Sequence, residues 1–149
     1  MTHHLAQLNI GRMLAAIDDP IMAEFVANLD RINALADGAS GFVWRLQSDS
    51  GNATEFRPFA DEMLIVNMSV WESLETLKDY VYKSAHAEIM RNRRQWFEKM
   101  DEVFTVLWWI PAGTIPTVEE AKARLESLRQ HGETPYAFSF RRSFARETG

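Results

Sequence analysis

Two segments of the chain alternate between apolar and more polar residues with a period of two. In residues 5–13, Ala6, Leu8 and Ile10 occupy every second position, and residues 63–71 repeat this pattern. Because successive side chains of a β-strand point to opposite faces, each segment is predicted to be a strand with one wholly apolar face. Shorter alternating or apolar runs predict three further strands, over residues 42–47, 103–110 and 136–144.

Apolar residues at helical spacing predict helices between these strands. Asp19 followed by Pro20 is a typical helix start, because the acidic side chain caps free N–H groups and proline suits the first turn. Thr117 and Glu120 form a capping box, which marks the start of another helix. The predicted helices run from Pro20 to about Ala36, from about Glu72 to Lys99 with a second start at Ser84, and from Val118 to Gly132.

The resulting order of elements is β-α-β-β-α-β, followed by an added α-β at the C-terminus. The first six elements match the ferredoxin-like unit, an α+β fold with both helices on one face of an antiparallel sheet. No repeat or linker interrupts the sequence, so residues 1–149 are predicted to form a single domain. In this fold, the wholly apolar strand faces are expected to pack against the two helices.

The opposite face of the predicted sheet mixes apolar and polar side chains. It is too apolar to remain uncovered on a monomer, so we expect a second copy of the chain to cover it and to leave a pocket in each subunit. Trp108 and Trp109 point to opposite faces of their strand, and its register decides which of them faces the helices. The residues of the mixed face are Leu5, Gln7, Asn9, Met63, Ile65, Asn67, Ser69 and Trp71.

Composition is that of a globular domain and argues against several functions. The chain has 149 residues, of which 46% are hydrophobic and 25% charged, and its net charge is -5. An acidic protein is a poor candidate for nucleic-acid binding, which depends on neutralising phosphates. Cysteine is absent, which excludes disulfides and thiolate-based catalytic or metal sites, and no other convincing set of metal ligands occurs. The sequence shows neither a membrane span nor a secretory signal, so a cytoplasmic location is expected.

Several short motifs carry a resemblance to known proteins. They are Trp71, YVYKSAH ending at His86, MRNRRQWF (90–97), LWWIPAG (107–113), PTVEEAKARL (116–125) and YAFSFR (136–141). Through them the chain resembles DUF3291, a family of uncharacterised bacterial proteins. The order of elements and the stretch from SVW to AH are similar to the dimeric α+β barrel superfamily, which includes antibiotic-biosynthesis monooxygenases. The resemblance implies a dimeric ferredoxin-like fold and brings no established activity.

Asn67 and Trp71 lie four residues apart on the mixed face of one predicted strand. Their spacing resembles that of an asparagine and a tryptophan in cofactor-independent, quinone-forming monooxygenases of this superfamily. Those residues hold a phenolic substrate while its anion reacts with oxygen. The resemblance implies that Asn67 stabilises the negative charge and that Trp71 orients the ring. The structural alternative is that Trp71 packs at a dimer interface, where aromatic residues are common.

His86 follows two tyrosines near the predicted break in the second helix. Its position resembles that of the haem-ligating histidine in haem-degrading monooxygenases of the superfamily, and Asn9 is a second match to those enzymes. A neutral imidazole is a suitable axial ligand for haem iron. In the alternative interpretation no cofactor is bound, and His86 is a general base, a substrate contact or a structural residue.

Two further groups of residues are candidates for substrate binding. Arg91 and Arg94 lie three positions apart on one face of a predicted helix, where they could hold a substrate anion. Alternatively they form solvated ion pairs with Glu88 or Glu98. The other predicted substrate contacts lie on the mixed sheet face and are Gln7, Asn9, Ile65 and Ser69.

Together these observations predict a homodimer that binds a small aromatic or polyketide-like molecule. The leading hypothesis is a cofactor-independent monooxygenase in which Asn67 and Trp71 orient the substrate and His86 moves a proton. A haem-binding or haem-degrading monooxygenase is the second hypothesis. A ligand-binding module without catalytic activity is the third, because one scaffold can carry unrelated functions.

Overall fold

The computed structural model describes residues 2–16, 18–46, 64–83, 95–98, 104–142 and 144, and strands and helices follow one another there in the predicted order. The strands are β1 (His3–Arg12), β2 (Phe42–Arg45), β3 (Leu64–Trp71) and β4 (Thr105–Pro111). The helices are α1 (Ala23–Asp37), preceded by a short 3-10 helix (Pro20–Met22), α2 (Leu74–Lys83) and α3 (Val118–His131). In this part of the chain, no helix has the length and apolar character needed to cross a lipid bilayer.

Local capping explains two of the helix starts, as the sequence predicts. The Asp19 carboxylate accepts a hydrogen bond from the Ile21 N–H at 3.0 Å, at the start of the 3-10 helix. The Thr117 hydroxyl accepts one from the Glu120 N–H at 3.1 Å, at the start of α3. Each side chain satisfies an N–H group that has no partner within its own helix.

The four strands form one antiparallel sheet in the order β2-β3-β1-β4. This is the strand order of the ferredoxin-like unit, so the predicted topology is confirmed for the first six elements. The central strand β1 pairs with β3 and β4, which sets Gln7 opposite Ser69 and Leu107, and Asn9 opposite Asn67. The register therefore gathers polar residues of two strands on one face of the sheet.

Helix α3 covers the wholly apolar face of the sheet, which we call the α3 face. Ala121, Leu125 and Leu128 of this helix are at most 3% exposed and pack against that face. The expectation that the apolar face meets the first two helices is therefore wrong. The residues of the α3 face are Ala6, Leu8, Ile10, Val66, Met68, Val70, Val106, Trp108 and Ile110.

Helices α1 and α2 cover the mixed face, which we call the cavity face. Leu77 of α2 packs there with Leu5, Trp71 and Leu107, and Phe25 of α1 contributes to a neighbouring apolar cluster. The expectation that a second copy covers this face is wrong, because two helices of the same chain already lie on it. Homodimerisation stays a prediction, but without the interface that was predicted for it.

The two adjacent tryptophans of β4 divide between the two faces. Trp108 is fully buried on the α3 face, opposite Ala6. Trp109 lies on the cavity face, opposite Leu5, and its indole N–H donates a hydrogen bond to the Phe144 carbonyl at 2.8 Å. The register with β1 thus decides what the sequence pattern left open.

A bulge in β2 brings different aromatic residues to the two sheet faces. Phe42 pairs with Trp71 and Trp44 pairs with Val70, so β2 advances by two residues where β3 advances by one. Just before this strand, Gly41 has a positive φ of 81°, and a Cβ there would lie 2.4 Å from the Thr76 Cγ2 atom. Glycine therefore permits both the turn into β2 and the close approach of α2.

Residues 96–98 are not helical, although the sequence predicts a helix up to Lys99. They pair with the end of β1, because the Leu14 N–H donates to the Trp96 carbonyl and the Glu98 N–H to the Arg12 carbonyl, both at 2.8 Å. Trp96 and Phe97 are at most 9% exposed. Burial of this aromatic pair favours backbone pairing over a further helical turn.

Residues 136–142 and 144 of the predicted last strand do not form a regular strand. Phe138 forms an isolated bridge with Leu107 through two backbone hydrogen bonds of 2.8 and 2.9 Å, and its side chain is fully buried. On one side of it, Thr134 and Ala137 bond to each other across a tight turn. One buried aromatic anchor thus attaches this segment to β4, and local turns replace extended pairing.

Candidate functional site

A cavity of about 80 Å³ lies between the cavity face of the sheet and helices α1 and α2. Apolar residues of both helices form its roof: Ile32 and Ala36 from α1, and Leu77 and Val81 from α2. Its floor is polar, because Gln7, Asn9, Asn67 and Ser69 of β1 and β3 lie there. We call these four residues the polar row.

Hydrogen bonds hold the side chains of the polar row in one arrangement. Gln7 Nε2 donates to Asn67 Oδ1 and to Ser69 Oγ, both at 2.8 Å, and Asn9 Nδ2 donates to Gln7 Oε1 at 3.2 Å. Both N–H groups of Gln7 are thus occupied, and its side chain lies at the centre of the row at only 5% exposure. Gln7 therefore positions its neighbours, whereas Asn67, which is exposed, can reach a ligand.

Aromatic side chains form one wall of the cavity. The Trp71 and Tyr80 rings lie 5.0 Å apart at an interplanar angle of 31°, and Phe42 meets Trp71 edge to face. The Trp71 indole N–H donates to Ser69 Oγ at 2.8 Å, which links the wall to the polar row. Since Trp71 is 1% exposed and held on several sides, its ring has a fixed position in the wall of the cavity.

An ion pair stands at another edge of the cavity. Arg45 lines the cavity, and its Nε and Nη2 atoms lie 2.8 and 3.4 Å from the two carboxylate oxygens of Asp37. This two-point contact holds the guanidinium in a defined orientation, with only 14% of the Arg45 side chain exposed. The sequence predicts that Arg45 lies on the second strand. It does not predict that Arg45 pairs with Asp37 at the end of α1.

The Tyr80 phenol stays protonated in the folded protein. Burial raises the pKa of Tyr80 well above its usual value, the nearby Asp37 carboxylate raises it further, and Arg45 opposes this in part. Its hydroxyl donates a hydrogen bond to the Ile32 carbonyl at 3.2 Å. Tyr80 therefore acts in the cavity as a neutral aromatic wall and is not available as a base.

This environment gives a prediction for alkaline titration. Because the folded state raises the pKa of Tyr80, its contribution to stability is complete below the unfolded value of about 10 and is lost as the pH rises above it. We expect Tyr80→Phe to leave the tyrosinate absorbance of the native protein unchanged and to lower that of the denatured protein. A native-state decrease in tyrosinate absorbance would show that Tyr80 ionises in the fold.

The structure places the predicted site residues in three groups. Ile65 packs with Met22 and Trp96 in a separate apolar cluster and is not among the lining residues of the cavity. His86, Arg91 and Arg94 lie outside the described residues. The predicted residues that line the cavity are Gln7, Asn9, Asn67, Ser69 and Trp71.

Two helix residues that carry polar groups into the lining of the cavity were not predicted as site residues. Asn33 of α1 and Tyr80 of α2 both line the cavity. Asn33 interrupts an otherwise apolar helical stripe, and this is the signal that could have identified it. Tyr80 belongs to the apolar stripe of α2, which gives no sign that it lines a cavity.

The described part of the cavity does not fit a haem. A cavity of about 80 Å³ is far too small for a macrocycle of four pyrrole rings, and none of its described lining residues is a histidine. No group of three or more histidine, aspartate or glutamate side chains suited to a metal ion occurs among the residues that the structure describes.

The family model of DUF3291, a domain of unknown function, matches residues 4–149. The chain belongs to this family. The match covers nearly the whole sequence, so the site described above lies within the DUF3291 domain. No functionally curated protein matches this DUF3291 chain.

Several solved structures are similar to this DUF3291 chain. SnoaB, a cofactor-independent oxygenase from Streptomyces nogalater, is 14% identical, with a TM-score of 0.49 over 75% of this chain and 95% of its own. PA3566 from Pseudomonas aeruginosa is 11% identical, with a TM-score of 0.49 over 76% and 98%. A putative antibiotic biosynthesis monooxygenase from Chloroflexus aurantiacus J-10-fl is 17% identical, with a TM-score of 0.41 over 76% and 97%. Values this low transfer no activity, substrate or site residue to the present chain.

Proposed function

We propose that this protein binds a small aromatic compound in the cavity between its sheet and helices α1 and α2. The observation that carries the proposal is the polar row, which lies beneath apolar helix residues and includes Gln7 and Ser69 at 5% and 6% exposure. Burying polar groups costs free energy that an apolar core would avoid. A few ordered polar groups within apolar walls are typical of small-molecule sites.

The size of the cavity limits what can be enclosed. A cavity of about 150 Å³ accommodates benzene in a well-studied case, whereas the cavity here measures about 80 Å³. A single planar ring is therefore the largest group that we expect to enter, with part of it at the open side near Asn67. The remainder of a larger substrate would lie outside.

The reaction that we propose for this site is a cofactor-independent oxygenation of a phenol. In it, a ring C–H and the phenol O–H are lost, one oxygen atom of O2 becomes a quinone carbonyl, and the other leaves as water. The Asn67 side-chain N–H groups would stabilise the phenolate oxygen, because donors directed at developing charge lower the barrier. Trp71 would hold the ring in plane.

A base is needed to form the phenolate. Among the described lining residues, none is a carboxylate or a histidine, and the raised pKa of Tyr80 keeps its phenol protonated. We propose His86 for this step, because α2, which precedes it in the chain, lies on the same side of the sheet as Asn67 and Trp71. Arg91 and Arg94 stay proposals for binding the anionic part of a substrate.

Oxygen consumption with 1,5-dihydroxynaphthalene as the probe tests this reaction. We expect formation of the coloured hydroxynaphthoquinone to require both the protein and O2, and to fall roughly tenfold or more in Asn67→Ala. Asn28→Ala is the matched control, because Asn28 lies on α1, donates a hydrogen bond to the Glu24 carbonyl and is not among the residues that line the cavity. Quinone formation at the rate of buffer alone, or undiminished in Asn67→Ala, would rule out the proposed chemistry.

A further inference from the structure

The Ser69 hydroxyl has an unusual hydrogen-bonding environment at the floor of the cavity. Its Oγ atom accepts hydrogen bonds from Gln7 Nε2 and from Trp71 Nε1, both at 2.8 Å. Ser69 is only 6% exposed, and what remains accessible faces the cavity that it lines. The side chain is therefore held by two donors from different strands.

A hydroxyl group offers two acceptor lone pairs and one donor hydrogen. With both lone pairs of Ser69 occupied, only its hydrogen is left to bond. No acceptor for that hydrogen is present among the residues that the structure describes. Since Ser69 lines the cavity, a ligand oxygen there is in position to accept this hydrogen.

Asn67, like Ser69, is left with a hydrogen-bond donor that can reach a ligand. Its Oδ1 atom accepts from the same Gln7 nitrogen that donates to Ser69, so its Nδ2 atom is left to donate. Since Asn67 Oδ1 and Ser69 Oγ lie 2.8 Å from one nitrogen atom, the two side chains are close neighbours. The cavity therefore presents two donors side by side, and a single ligand oxygen could accept from both.

Accepting hydrogen bonds makes a hydroxyl a stronger donor, because the bonds in a chain polarise one another. We infer that Ser69 determines the specificity of the cavity by donating its hydroxyl hydrogen to a carbonyl or phenolate oxygen of the ligand. The ligand class is thus an aromatic ring with an acceptor oxygen attached to the ring or to the atom next to it. This inference rests on the proposed function, in that it needs a ring to enter the cavity.

Two nearly isosteric probes separate this role from simple ring burial. Acetophenone carries an acceptor oxygen where α-methylstyrene carries a CH2 group, and the two molecules are otherwise alike. Ligand-observed NMR titration gives the dissociation constant of each. For the wild-type protein we expect about tenfold or more tighter binding of acetophenone, because a site built to bond an oxygen disfavours an analogue without it.

Variants then assign the preference to Ser69. Ser69→Ala should bring the ratio of the two dissociation constants close to one, and Ser69→Thr, which restores a hydroxyl, should restore the preference. Ser127→Ala is the matched control, since Ser127 lies on α3 on the other side of the sheet. The ratio is insensitive to a general loss of affinity, so it is informative even for a destabilised variant.

Each other outcome overturns a definite part of the inference. Equal affinity of the wild-type protein for both probes would contradict the role of Ser69 and leave the aromatic site standing, and this measurement needs no variant. A preference that persists in Ser69→Ala would assign selection of the oxygen to Asn67 instead. Binding of neither probe would overturn both the inference and the aromatic site on which it rests.

Discussion

Leu125→Asp is expected to destabilise the protein by about 4 kcal/mol or more, which is a large part of the stability of an ordinary domain. Leu125 lies on α3, is 1% exposed and packs against the apolar α3 face of the sheet. The substitution removes buried methyl groups and places an unpaired charge between helix and sheet. Urea denaturation followed by circular dichroism measures the effect.

Ala123→Asp is the matched control for this variant. It introduces the same side chain two positions away on the same helix, but at an exposed site. We expect its effect to stay within roughly 0.5 kcal/mol, as for most surface substitutions. A Leu125→Asp variant with a near-native denaturation midpoint would mean that α3 does not cover the sheet.

Trp71→Ala is expected to cost roughly 3 to 5 kcal/mol, because it removes a large buried side chain from the apolar cluster on the cavity face. Trp71 is 1% exposed, packs against Phe42 and Tyr80, and bonds to Ser69 through its indole N–H. The variant loses the aromatic wall and one of the two donors that orient the Ser69 hydroxyl. Denaturant midpoints measure the loss of stability.

Trp71→Phe separates the contribution of the aromatic ring from that of the indole N–H hydrogen bond. It keeps an aromatic ring but removes the N–H group, so we expect a smaller loss of about 1 to 3 kcal/mol. Ile115→Ala is a control for apolar truncation at the surface, since Ile115 is 63% exposed. If Trp71→Ala unfolded at the same urea concentration as Ile115→Ala, Trp71 would not belong to the core.

Features that depend on neighbours in sequence were predictable. The caps at Asp19 and Thr117 bond to N–H groups two and three residues away, so their sequence signals are local. The alternation in β1 and β3 is equally local and correctly divides their side chains between two faces. From these elements the strand order of the ferredoxin-like unit follows.

Features that depend on distant contacts were not predictable. Trp96 and Phe97 have a helical pattern, yet they pair with the end of β1, more than 80 residues earlier in the sequence. Residues 136–142 alternate like a strand, yet only Phe138 pairs with β4. In both segments, a buried aromatic side chain packs against residues far away in the sequence. That packing determines the local backbone structure more strongly than the local sequence pattern does.

Alternation along the strands was sufficient to predict which residues share a face of the sheet, including the grouping of Gln7, Asn67, Ser69 and Trp71. It could not determine which helices cover each face, because the two faces are both apolar enough to need cover and periodicity carries no information about what lies on them. Contacts between elements far apart in the chain place α3 on the apolar face and α1 and α2 on the mixed one. Because α1 and α2 pack on the mixed face, that face borders a cavity with a polar floor and does not form the predicted dimer interface.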